Sequence, residues 1–254
     1  KSAINLNFSI LQDFFDCAYR FKLSMFYGFV QPIAAAMGYG NAVHNIVRNI
    51  HKKYLDGENL TREDVQAIVE DTFYLPYANS KMEQNMLESA KKSVDMYFEK
   101  NKADFKNIEM AEADIELDMG DGVKVNGRID LVKHREISGE EKITIVDFKT
   151  ADRDVTQCLE AEQLKIYALG YQELTGKSAD YLEILNLDKV ESERVRVTEG
   201  LTETVAKDIR NAAQNIRENK LDRKCSKEKC SACYLNYLCL SKEEKKTYVE
   251  SVSY

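Results

Sequence analysis

Three side chains suited to metal-dependent chemistry lie on two neighbouring runs of the sequence. The first run, Gly127 to Val132, carries Asp130, and the second, Ile143 to Thr150, carries Asp147 and Lys149. Aspartate oxygens are ligands that hard divalent ions such as Mg²⁺ prefer, and a lysine ammonium stabilises charge that develops on a phosphate. If the two runs are adjacent strands, these residues form a metal site with a cation beside it.

Alternation of apolar and polar residues predicts that the first run is a half-buried strand. Its apolar residues share one parity and its polar residues share the other: Val123, Val125, Ile129 and Leu131 against Lys124, Asn126, Arg128 and Asp130. In the second run Asp147 and Lys149 share a parity and Phe148 points the other way. Taken alone, Asp-Phe-Lys is more simply interpreted as a solvated strand end with an ion pair.

Residues elsewhere in the chain favour the metal site over the simple ion pair. Gln163 and Tyr167 stand four apart in Cys158 to Thr175, a segment whose pattern predicts a helix, so their side chains share one face. Upstream, His44 follows Gly40 near the start of another helical pattern. Alone, such a histidine is more often a satisfied helix residue than a ligand. Together, the residues form an ordered set that spans most of the chain.

In order and spacing, this set resembles the motifs of the PD-(D/E)XK nuclease superfamily, specifically its RecB-like branch. The resemblance implies an α/β, restriction-endonuclease-like fold with a mixed sheet flanked by helices, and hydrolysis of phosphodiester bonds with Mg²⁺ or Mn²⁺. Two positions depart from the superfamily's pattern: Ile129 stands in place of its proline, and Asp147 in place of the commoner glutamate. Both variations are frequent in the RecB-like branch.

The resemblance also implies a role for each motif residue. The implied metal ligands are the side chains of His44, Asp130 and Asp147 and the backbone carbonyl of Phe148. Lys149 would be the catalytic lysine, and Gln163 with Tyr167 would contact the DNA strand. Glu112 looks like the acid that opens the first core strand in these proteins, and we assign it no role. His51 lies about 10.5 Å along the helix from His44, too far to share an ion, and we predict that His51 and His134 are surface residues.

The C-terminal cysteines predict a second metal site. Cys225, Cys230, Cys233 and Cys239 have the spacing C-x4-C-x2-C-x5-C. Two intervening residues let two thiolates face one centre, so the pattern is a strong ligand signal. Six cysteines in a chain without secretory features favour metal or redox chemistry over a disulfide framework. We interpret Cys158 as structural.

The fourth ligand of this second site is left open by the spacing. Cys225 is nearest in sequence. Cys17, however, resembles the N-terminal cysteine that RecB-like nucleases of the AddB and CRISPR-associated kinds pair with a C-terminal C-x2-C-x5-C motif to hold a 4Fe–4S cluster. Such a bond would close a large loop between the chain ends. The alternatives are that Cys17 is a small buried hydrophobe and that zinc replaces iron.

Length and composition are those of a globular protein. The chain has 254 residues, 44% of them hydrophobic and 31% charged, with no apolar run of the roughly 20 residues that a membrane helix needs. We predict one domain over residues 1–254, with a helical lobe (1–105), a catalytic α/β core (106–200) and a closing helix with the cysteine cluster (201–254). Without a signal peptide, a cytoplasmic location is expected, and the non-methionine start suggests a piece of a longer polypeptide.

The net charge of −7 argues weakly against nucleic-acid binding. Its distribution is more informative, because acids concentrate between Asp56 and Glu141 while basic residues form two clusters: Arg20, Lys22, Arg48, Lys52 and Lys53, and then Lys220, Arg223, Lys224, Lys227 and Lys229. This pattern is compatible with a basic groove on an acidic body.

Periodicity predicts helices in the first third and mainly strands afterwards. The predicted helices are Ile10–Leu23 capped by Ser9, Met37–Leu55, one opened by a capping box at Thr61 and Asp64, Ser80–Lys102, Cys158–Thr175 and Leu201–Asn219. The predicted strands are Ile108–Met119, Val123–His134, Ile143–Lys149, Ala179–Asp188 and Glu191–Thr198, the first two joined by a hairpin turn at Gly120–Gly122.

The sequence therefore predicts an iron–sulfur, metal-dependent DNA nuclease, most simply an exonuclease acting on single strands or duplex ends. The Gly40 to His44 context resembles the nuclease domain of UvrD-like helicases, so a helicase motor in the same polypeptide is expected. A stand-alone CRISPR-associated exonuclease is the enzymatic alternative. A catalytically silent DNA-binding module is the non-enzymatic one, although such a module has no physical need for two converging carboxylates.

Overall fold

The structure, a computed structural model, describes residues 3–30, 35–76, 78–150 and 162–249. Within these ranges the strands are β1 (Ile4–Asn7), β2 (Ile108–Asp118), β3 (Val123–Ile137), β4 (Glu140–Lys149), β5 (Tyr181–Asn186) and β6 (Glu191–Arg196). They form a mixed sheet in the order β1-β3-β4-β5-β6, with β2 paired to β3. The mixed α/β fold is confirmed, with β1 as a strand that the sequence did not predict.

The structure also describes ten α-helices in these ranges. They are α1 (Phe8–Asp16), α2 (Ala18–Met25), α3 (Ala35–Leu55), α4 (Arg62–Thr72), α5 (Ser80–Asn101), α6 (Glu162–Thr175), α7 (Leu201–Arg217), α8 (Lys227–Ser231), α9 (Asn236–Cys239) and α10 (Lys242–Tyr248). A 3₁₀ turn at Lys102–Asn107 leads into β2. The capping box at Thr61 and Asp64 is confirmed, whereas α8 to α10 were not predicted. None of the helices in these ranges combines the length and apolar composition that crossing a membrane requires.

The chain divides into two compact units. The larger unit comprises Ile33–Glu116 and Gly127–Thr202, and the smaller unit comprises Lys1–Pro32, Leu117–Asn126 and Glu203–Tyr254. All the residues predicted for the nuclease site belong to the larger unit. The cysteines of the predicted second site belong to the smaller unit. The single domain with boundaries at 105 and 200 stays a prediction.

The core of the larger unit lies between the sheet and helices α3, α4 and α5. Val47 and Ile50 of α3 are fully buried in it, and strands β3 and β4 contribute Leu131, Val146 and Phe148. Since alternate residues of a strand face opposite sides, Phe148 packs into this core while its neighbours Asp147 and Lys149 point away from it. The apolar layer therefore holds the strand that carries the two charged residues.

Strand β4 is buried on both faces, which the sequence did not predict. Thr144 to Phe148 are each at most 2% exposed. The strand pairs antiparallel with β3 and parallel with β5, and a parallel neighbour requires a crossover connection, which includes α6. The start of the predicted helix at Cys158 lies outside the described residues, as does the predicted structural role of Cys158 itself. Asp147 therefore lies in the protein interior and not at a solvated strand end.

His51 is buried, so its prediction as a surface residue is wrong. It is 1% exposed, its Nε2 lies 2.7 Å from the hydroxyl of Tyr97, and its ring packs against Phe105 and Phe148. The helix pattern alone did not reveal that this face of α3 meets three aromatic rings. His134 is half-buried, with Nε2 2.9 Å from Oε2 of Glu109.

Burial makes His51 a source of acid sensitivity. Desolvation, helped by the charge of Lys133, lowers the pKa of His51 to about 3. In the unfolded chain the pKa is about 6.5, so between these values the unfolded state binds the proton and the folded state does not. Stability is therefore lost as pH falls from 6.5, at up to about 1.4 kcal/mol per pH unit, or about 2 kcal/mol by pH 5.

A glutamine variant isolates this effect. His51→Gln keeps a hydrogen-bonding partner for the Tyr97 hydroxyl but does not titrate, so the free energy of unfolding should fall about 2 kcal/mol less between pH 7 and pH 5 than in the parent. Urea titrations at the two pH values measure this difference. The variant is needed because Asp130 and Asp147 have raised folded pKa values, so their protonation stabilises the folded state as pH falls over the same range. Equal pH dependence in parent and variant would contradict the assignment.

In the smaller unit, a break at Cys17 splits the single helix predicted over Ile10–Leu23. Cys17 has an extended backbone, with φ −160° and ψ 106°, between α1 and α2. The N-cap of α1 is Asn7, whose side chain accepts a hydrogen bond from the Ile10 N–H at 2.8 Å, and not Ser9 as predicted. The continuous apolar stripe hid this break because both helices bury the same face.

The predicted hairpin turn at Gly120–Gly122 is confirmed. All three of its residues have positive φ, including Asp121 at 53°, and the Met119 N–H donates to the carbonyl of Val123 at 2.9 Å. Glycine adopts this left-handed region without strain, which explains why two of the three positions are glycine. The turn sets the register between β2 and β3.

Candidate active site

Asp130 and Asp147 face each other across β3 and β4. The antiparallel register places Leu131 opposite Val146, so the next pair along the strands is Asp130 and Asp147. The N–H of Phe148 donates a hydrogen bond to Oδ2 of Asp130 at 2.8 Å and ties the two strands together at this point. The structure therefore brings together the two acids that the sequence placed on separate strands.

Both carboxylates are held in surroundings that disfavour their charge. Burial raises the pKa of Asp130 to about 6, although the Phe148 N–H opposes this shift. Burial likewise raises the pKa of Asp147 to about 6, and Lys149 opposes the shift while the nearby charge of Asp130 adds to it. Two carboxylates desolvated side by side gain from a nearby cation, because it stabilises the ionised form of both.

Lys149 supplies such a cation to Asp147. Its Nζ lies 2.7 Å from Oδ2 of Asp147, and the lysine is about a quarter exposed while the aspartate side chain is 3% exposed. Among the described residues, none makes a well-directed hydrogen bond to Oδ2 of Asp147. The Lys149 ammonium is therefore foremost an electrostatic neighbour of this oxygen.

His44 approaches the pair from α3. Its Nδ1 lies 3.8 Å from Oδ2 of Asp130, and its ring lies edge-on to that of Phe148, with the ring centroids 6.1 Å apart. Desolvation lowers the pKa of His44, although the charge of Asp147 opposes this. The imidazole is therefore held neutral at pH 7, which is the form that binds metal ions.

Gln163 and Tyr167 form a hydrogen-bonded pair on α6. Nε2 of Gln163 donates to the Tyr167 hydroxyl at 2.5 Å, and Tyr167 is only 3% exposed. Burial raises the pKa of Tyr167, and the charges of Asp130 and Asp147 add to the shift, so the phenol remains protonated close to both acids. The predicted shared face is confirmed, but on it the tyrosine is buried and the glutamine is partly exposed.

Glu112 is an acid of this neighbourhood whose geometry the sequence did not reveal. It lies within β2 with φ 53°, a left-handed conformation that is strained for a residue with a side chain. Its Oε2 lies 2.7 Å from Nε of Arg128, and its charge helps to raise the pKa of Asp130. Glu112 thus belongs to the electrostatics of the pair, and its positive φ had no signature in the sequence.

The cysteines of the smaller unit share one cavity of about 230 Å³, whose thiol lining is Cys17, Cys225, Cys230, Cys233 and Cys239. The N–H of Lys224 points at Sγ of Cys17 from 3.5 Å. Burial is the largest cause that raises the pKa of Cys225 to about 11, and the charge of Cys230 adds to it. The thiolate of Cys225 is therefore harder to form. The break between α1 and α2 therefore brings Cys17 to the C-terminal cysteines.

Two lysines that line the same cavity bond to the end of α1. Nζ of Lys224 donates to the carbonyl of Phe15 at 3.0 Å, and Nζ of Lys229 donates to that of Asp16 at 3.2 Å. Both carbonyls belong to the last turn of α1, where the helix dipole favours positive charge. These contacts join the two chain segments that carry Cys17 and the C-terminal cysteines.

Several cations of the predicted basic groove are neutralised by acids. Arg20 contacts Asp13 and Asp16, and three further pairs have the same effect: Lys53 with Glu58, Lys220 with Glu218, and Arg223 with Glu244. The positive potential on this surface is thus weaker than the residue count suggests. The groove stays a prediction.

The comparison with family models decides the family. A model described as the PD-(D/E)XK nuclease superfamily matches residues 5–240, which include the acid pair, Lys149, His44 and Gln163. The chain belongs to the PD-(D/E)XK nuclease superfamily. Nucleases of this superfamily hydrolyse phosphodiester bonds, so the residues around Asp130 and Asp147 form the candidate active site of a nuclease.

Two other comparisons add less. No curated protein matches the chain. Among solved structures, one described as "Crystal structure of SSO0001" has a TM-score of 0.38 and 17% sequence identity, and the match covers 87% of this chain and 93% of that one. The assignment to the PD-(D/E)XK nuclease superfamily therefore rests on the family model.

PD-(D/E)XK nucleases usually use divalent ions such as Mg²⁺ or Mn²⁺, and the donor chemistry at the acid pair fits such an ion. Two adjacent buried carboxylates, one with an oxygen that lacks a well-directed hydrogen bond, are hard ligands whose charge an ion would compensate. Within the described ranges, however, no three ligand-type side chains are close enough to form a complete centre, either here or at the cysteines.

Gln163 offers a test of strand contact in this nuclease. Gln163→Ala should reduce cleavage of a nucleic acid by about 10–100-fold, because a hydrogen bond to a charged phosphate contributes about 1.5–3 kcal/mol. The melting temperature should stay almost unchanged, since the side chain is partly exposed. Turnover assays and thermal melts of the same preparation measure both.

The matched control is Tyr167→Phe, which keeps the buried ring and removes only the hydroxyl. It should leave the fold intact. Its cleavage rate shows how much of the contribution of Gln163 depends on the hydrogen bond to the Tyr167 hydroxyl. A Gln163→Ala protein that melts much lower but cleaves at the parent rate would assign the pair to packing and not to substrate contact.

Proposed function

We propose that this chain is a metal-dependent DNA nuclease that uses Mg²⁺ or Mn²⁺. The observation that carries the proposal is the pair of adjacent carboxylates, Asp130 with its side chain 13% exposed and Asp147 with its side chain 3% exposed, and the Lys149 ammonium 2.7 Å from Asp147. A folded protein has little reason to desolvate two acids together unless a cation stabilises them. Membership in the PD-(D/E)XK nuclease superfamily supports the proposal.

In this proposal the side chains of Asp130, Asp147 and His44 and the carbonyl of Phe148 hold the ion. When bound, the ion polarises the scissile phosphate and favours ionisation of water. Lys149 then orients the attacking water or stabilises the negative charge that develops on the phosphate oxygens. The neutral imidazole of His44 and the ionised carboxylates are the protonation states that such binding requires.

Gln163 fits the role of contacting the DNA backbone near the reacting phosphate. Its amide can donate to a phosphate oxygen while Tyr167, buried behind it, fixes its position through the hydrogen bond between them. This division differs from the sequence expectation that both residues touch the strand, since a tyrosine 3% exposed has little surface to offer.

We further propose that Cys17, Cys230, Cys233 and Cys239 hold a 4Fe–4S cluster, with zinc as the alternative. Cys17 and the C-terminal cysteines line a single cavity, which supports this proposal. The Lys224 N–H directed at Cys17 supports it as well, since such hydrogen bonds stabilise cluster thiolates. The cluster would supply a rigid link between two chain segments. It takes no part in the hydrolysis proposed at Asp130 and Asp147.

Exonuclease action, a role in DNA repair or recombination and a helicase in the same polypeptide are finer proposals that rest on the RecB-like motifs alone. The same motifs fit a stand-alone CRISPR-associated exonuclease. A silent DNA-binding module is less well supported, because the raised pKa values of the acid pair carry a cost in stability that simple binding does not require.

Incubation of the protein with end-labelled single- and double-stranded DNA tests the function. With Mn²⁺, the DNA should be degraded, and with a chelator it should stay intact. Products that shorten progressively from one end would support exonuclease action, whereas internal fragments would support endonuclease action. If both DNA forms remain intact with Mg²⁺ and with Mn²⁺ while the protein still binds them, the silent module replaces the nuclease.

A further inference from the structure

The N-terminal part of α3 contacts the ends of two neighbouring strands. Tyr39 and Gly40 are consecutive residues of this helix, and His44 follows Gly40 by four residues, so Gly40 and His44 lie on the same helix face. The strand ends are Thr150, directly after β4, and Asp188, two residues after β5. These contacts lie one helical turn from the histidine of the acid pair.

Gly40 allows the Thr150 side chain to lie directly against the helix. A Cβ added at Gly40 would lie 2.6 Å from Oγ1 of Thr150 and 3.9 Å from its Cβ. The first distance is far inside van der Waals contact, and the second is ordinary contact. Among the described residues, only Oγ1 of Thr150 lies too close to a side chain at residue 40. Thr150 follows Lys149 directly, so a shift of the backbone at Thr150 would move the lysine as well.

Tyr39 makes the second contact through a hydrogen bond. Its hydroxyl donates to Oδ1 of Asp188 at 2.9 Å, and Oγ of Ser93, on α5, donates to the same oxygen at 2.9 Å. The loop that carries Asp188 is itself fixed, because Oδ1 of the buried Asn186 accepts hydrogen bonds from the N–H groups of Asp188 and Lys189. Asn186 pairs with Lys149 in the β4–β5 register.

Both contacts involve residues next to Lys149 in the sheet. Gly40 rests on the residue after Lys149, and Tyr39 binds the loop after the strand partner of Lys149. A helix is stiff along its axis, so fixing one turn of α3 in two directions also fixes the height and rotation of the next turn, which carries His44. In the structure, Nδ1 of His44 lies 3.8 Å from Oδ2 of Asp130.

We propose that Tyr39 and Gly40 are positioning residues that register α3 against β4 and β5 and so hold His44 and Lys149 at the acid pair. Neither residue touches the reacting atoms. The inference rests on the proposed nuclease function, because it assigns these contacts the task of assembling that site. A purely structural role would make them matter for stability without changing metal affinity.

Substitution of Gly40 by alanine, alone and combined with changes at Thr150, tests the inference. Gly40→Ala should weaken Mn²⁺ binding in calorimetry at least tenfold and lower kcat on DNA about a hundredfold, the cost of misplacing reacting groups by about 1 Å. Alanine is the better helix former, so propensity alone predicts the opposite trend in stability. A loss of Mn²⁺ affinity or kcat is therefore not explained by helix propensity, and changes at Thr150 test whether the contact with this residue causes it.

The matched controls differ only at the γ position of Thr150. Gly40→Ala with Thr150→Ala removes the conflicting atom and should restore Mn²⁺ affinity and kcat to within about threefold of the Thr150→Ala protein. Gly40→Ala with Thr150→Val keeps γ atoms in both positions and should not recover. Tyr39→Phe removes only the hydroxyl and should weaken Mn²⁺ binding even if Gly40→Ala fails to fold.

The outcomes separate this inference from the proposed function. A parent that binds Mn²⁺ and shows the Thr150-dependent recovery but leaves DNA intact would refute the nuclease proposal and support the registration. A parent that cleaves DNA, combined with parent-like Mn²⁺ affinity in both Gly40→Ala and Tyr39→Phe, would refute the registration. Recovery with valine as complete as with alanine would refute it as well, since the γ atom would then not be the cause.

Discussion

Asp147→Ala should abolish metal-dependent cleavage while the protein remains folded. The substitution removes one of two facing carboxylates that burial and mutual repulsion disfavour, so the fold loses an ion pair with Lys149 but is relieved of a costly charge. Loss of the ion's charge stabilisation, about 4 kcal/mol or more, corresponds to roughly a thousandfold in rate. Initial rates on end-labelled DNA with Mn²⁺ and a thermal melt measure the two effects.

Lys149→Ala is the contrasting variant. It should lower the rate by about 10²–10³-fold, as expected for removal of a group that stabilises transition-state charge, while Mn²⁺ binding is retained. Calorimetry therefore distinguishes the two positions: Asp147→Ala should lose Mn²⁺ and Lys149→Ala should keep it. Parent-like cleavage by Asp147→Ala would rule out the metal site, and loss of Mn²⁺ in Lys149→Ala would contradict its role in the transition state.

Cys17→Ser should remove iron and destabilise the protein. If the proposed cluster is present, protein purified without air should be brown and contain about four irons per chain. A cross-link that closes a loop of this length contributes about 2–5 kcal/mol, so its loss should lower the melting temperature by roughly 10 °C. Iron analysis, the visible spectrum and a thermal melt are the measurements.

Cys225→Ser is the matched control, because this cysteine lines the same cavity but lies outside the proposed ligand set. It should retain nearly all the iron. The contacts of Lys224 and Lys229 to the end of α1 should keep Cys17→Ser partly folded, which makes its iron content measurable. A colourless parent with one zinc, in which Cys225 is essential and Cys17 dispensable, would replace the cluster by a local C-terminal zinc site.

Short-range patterns of the sequence predicted much of the fold. The alternation around Asp130 and Leu131 identified β3 and its polar face, and the capping box at Thr61 identified the start of α4, because both depend on residues close together in the chain. The middle strands and the helices α3 to α5 were placed with small errors at their ends for the same reason. The motif order also predicted the nuclease family.

The sequence also determined which residue types could carry the chemistry: two aspartates, a lysine and a histidine at fixed places in the chain. Only the tertiary structure decided how deeply these residues are buried and in which direction their pKa values shift. Burial raises the pKa values of Asp130 on β3 and Asp147 on β4, and the aromatic cluster around Phe148 buries His51. Desolvation depends on atoms that are distant in the chain, so no local pattern contains it.

The contact of Gly40 with Thr150 and the break at Cys17 were likewise decided by the tertiary structure. A glycine near the start of a helical pattern has many explanations, and an apolar stripe continues through a break when both helices bury the same face. The positive φ of Glu112 is another example, since a glutamate in a strand pattern does not predict a left-handed backbone conformation. Sequence thus specified the chemical groups, while packing between distant segments fixed their distances, exposure and charge.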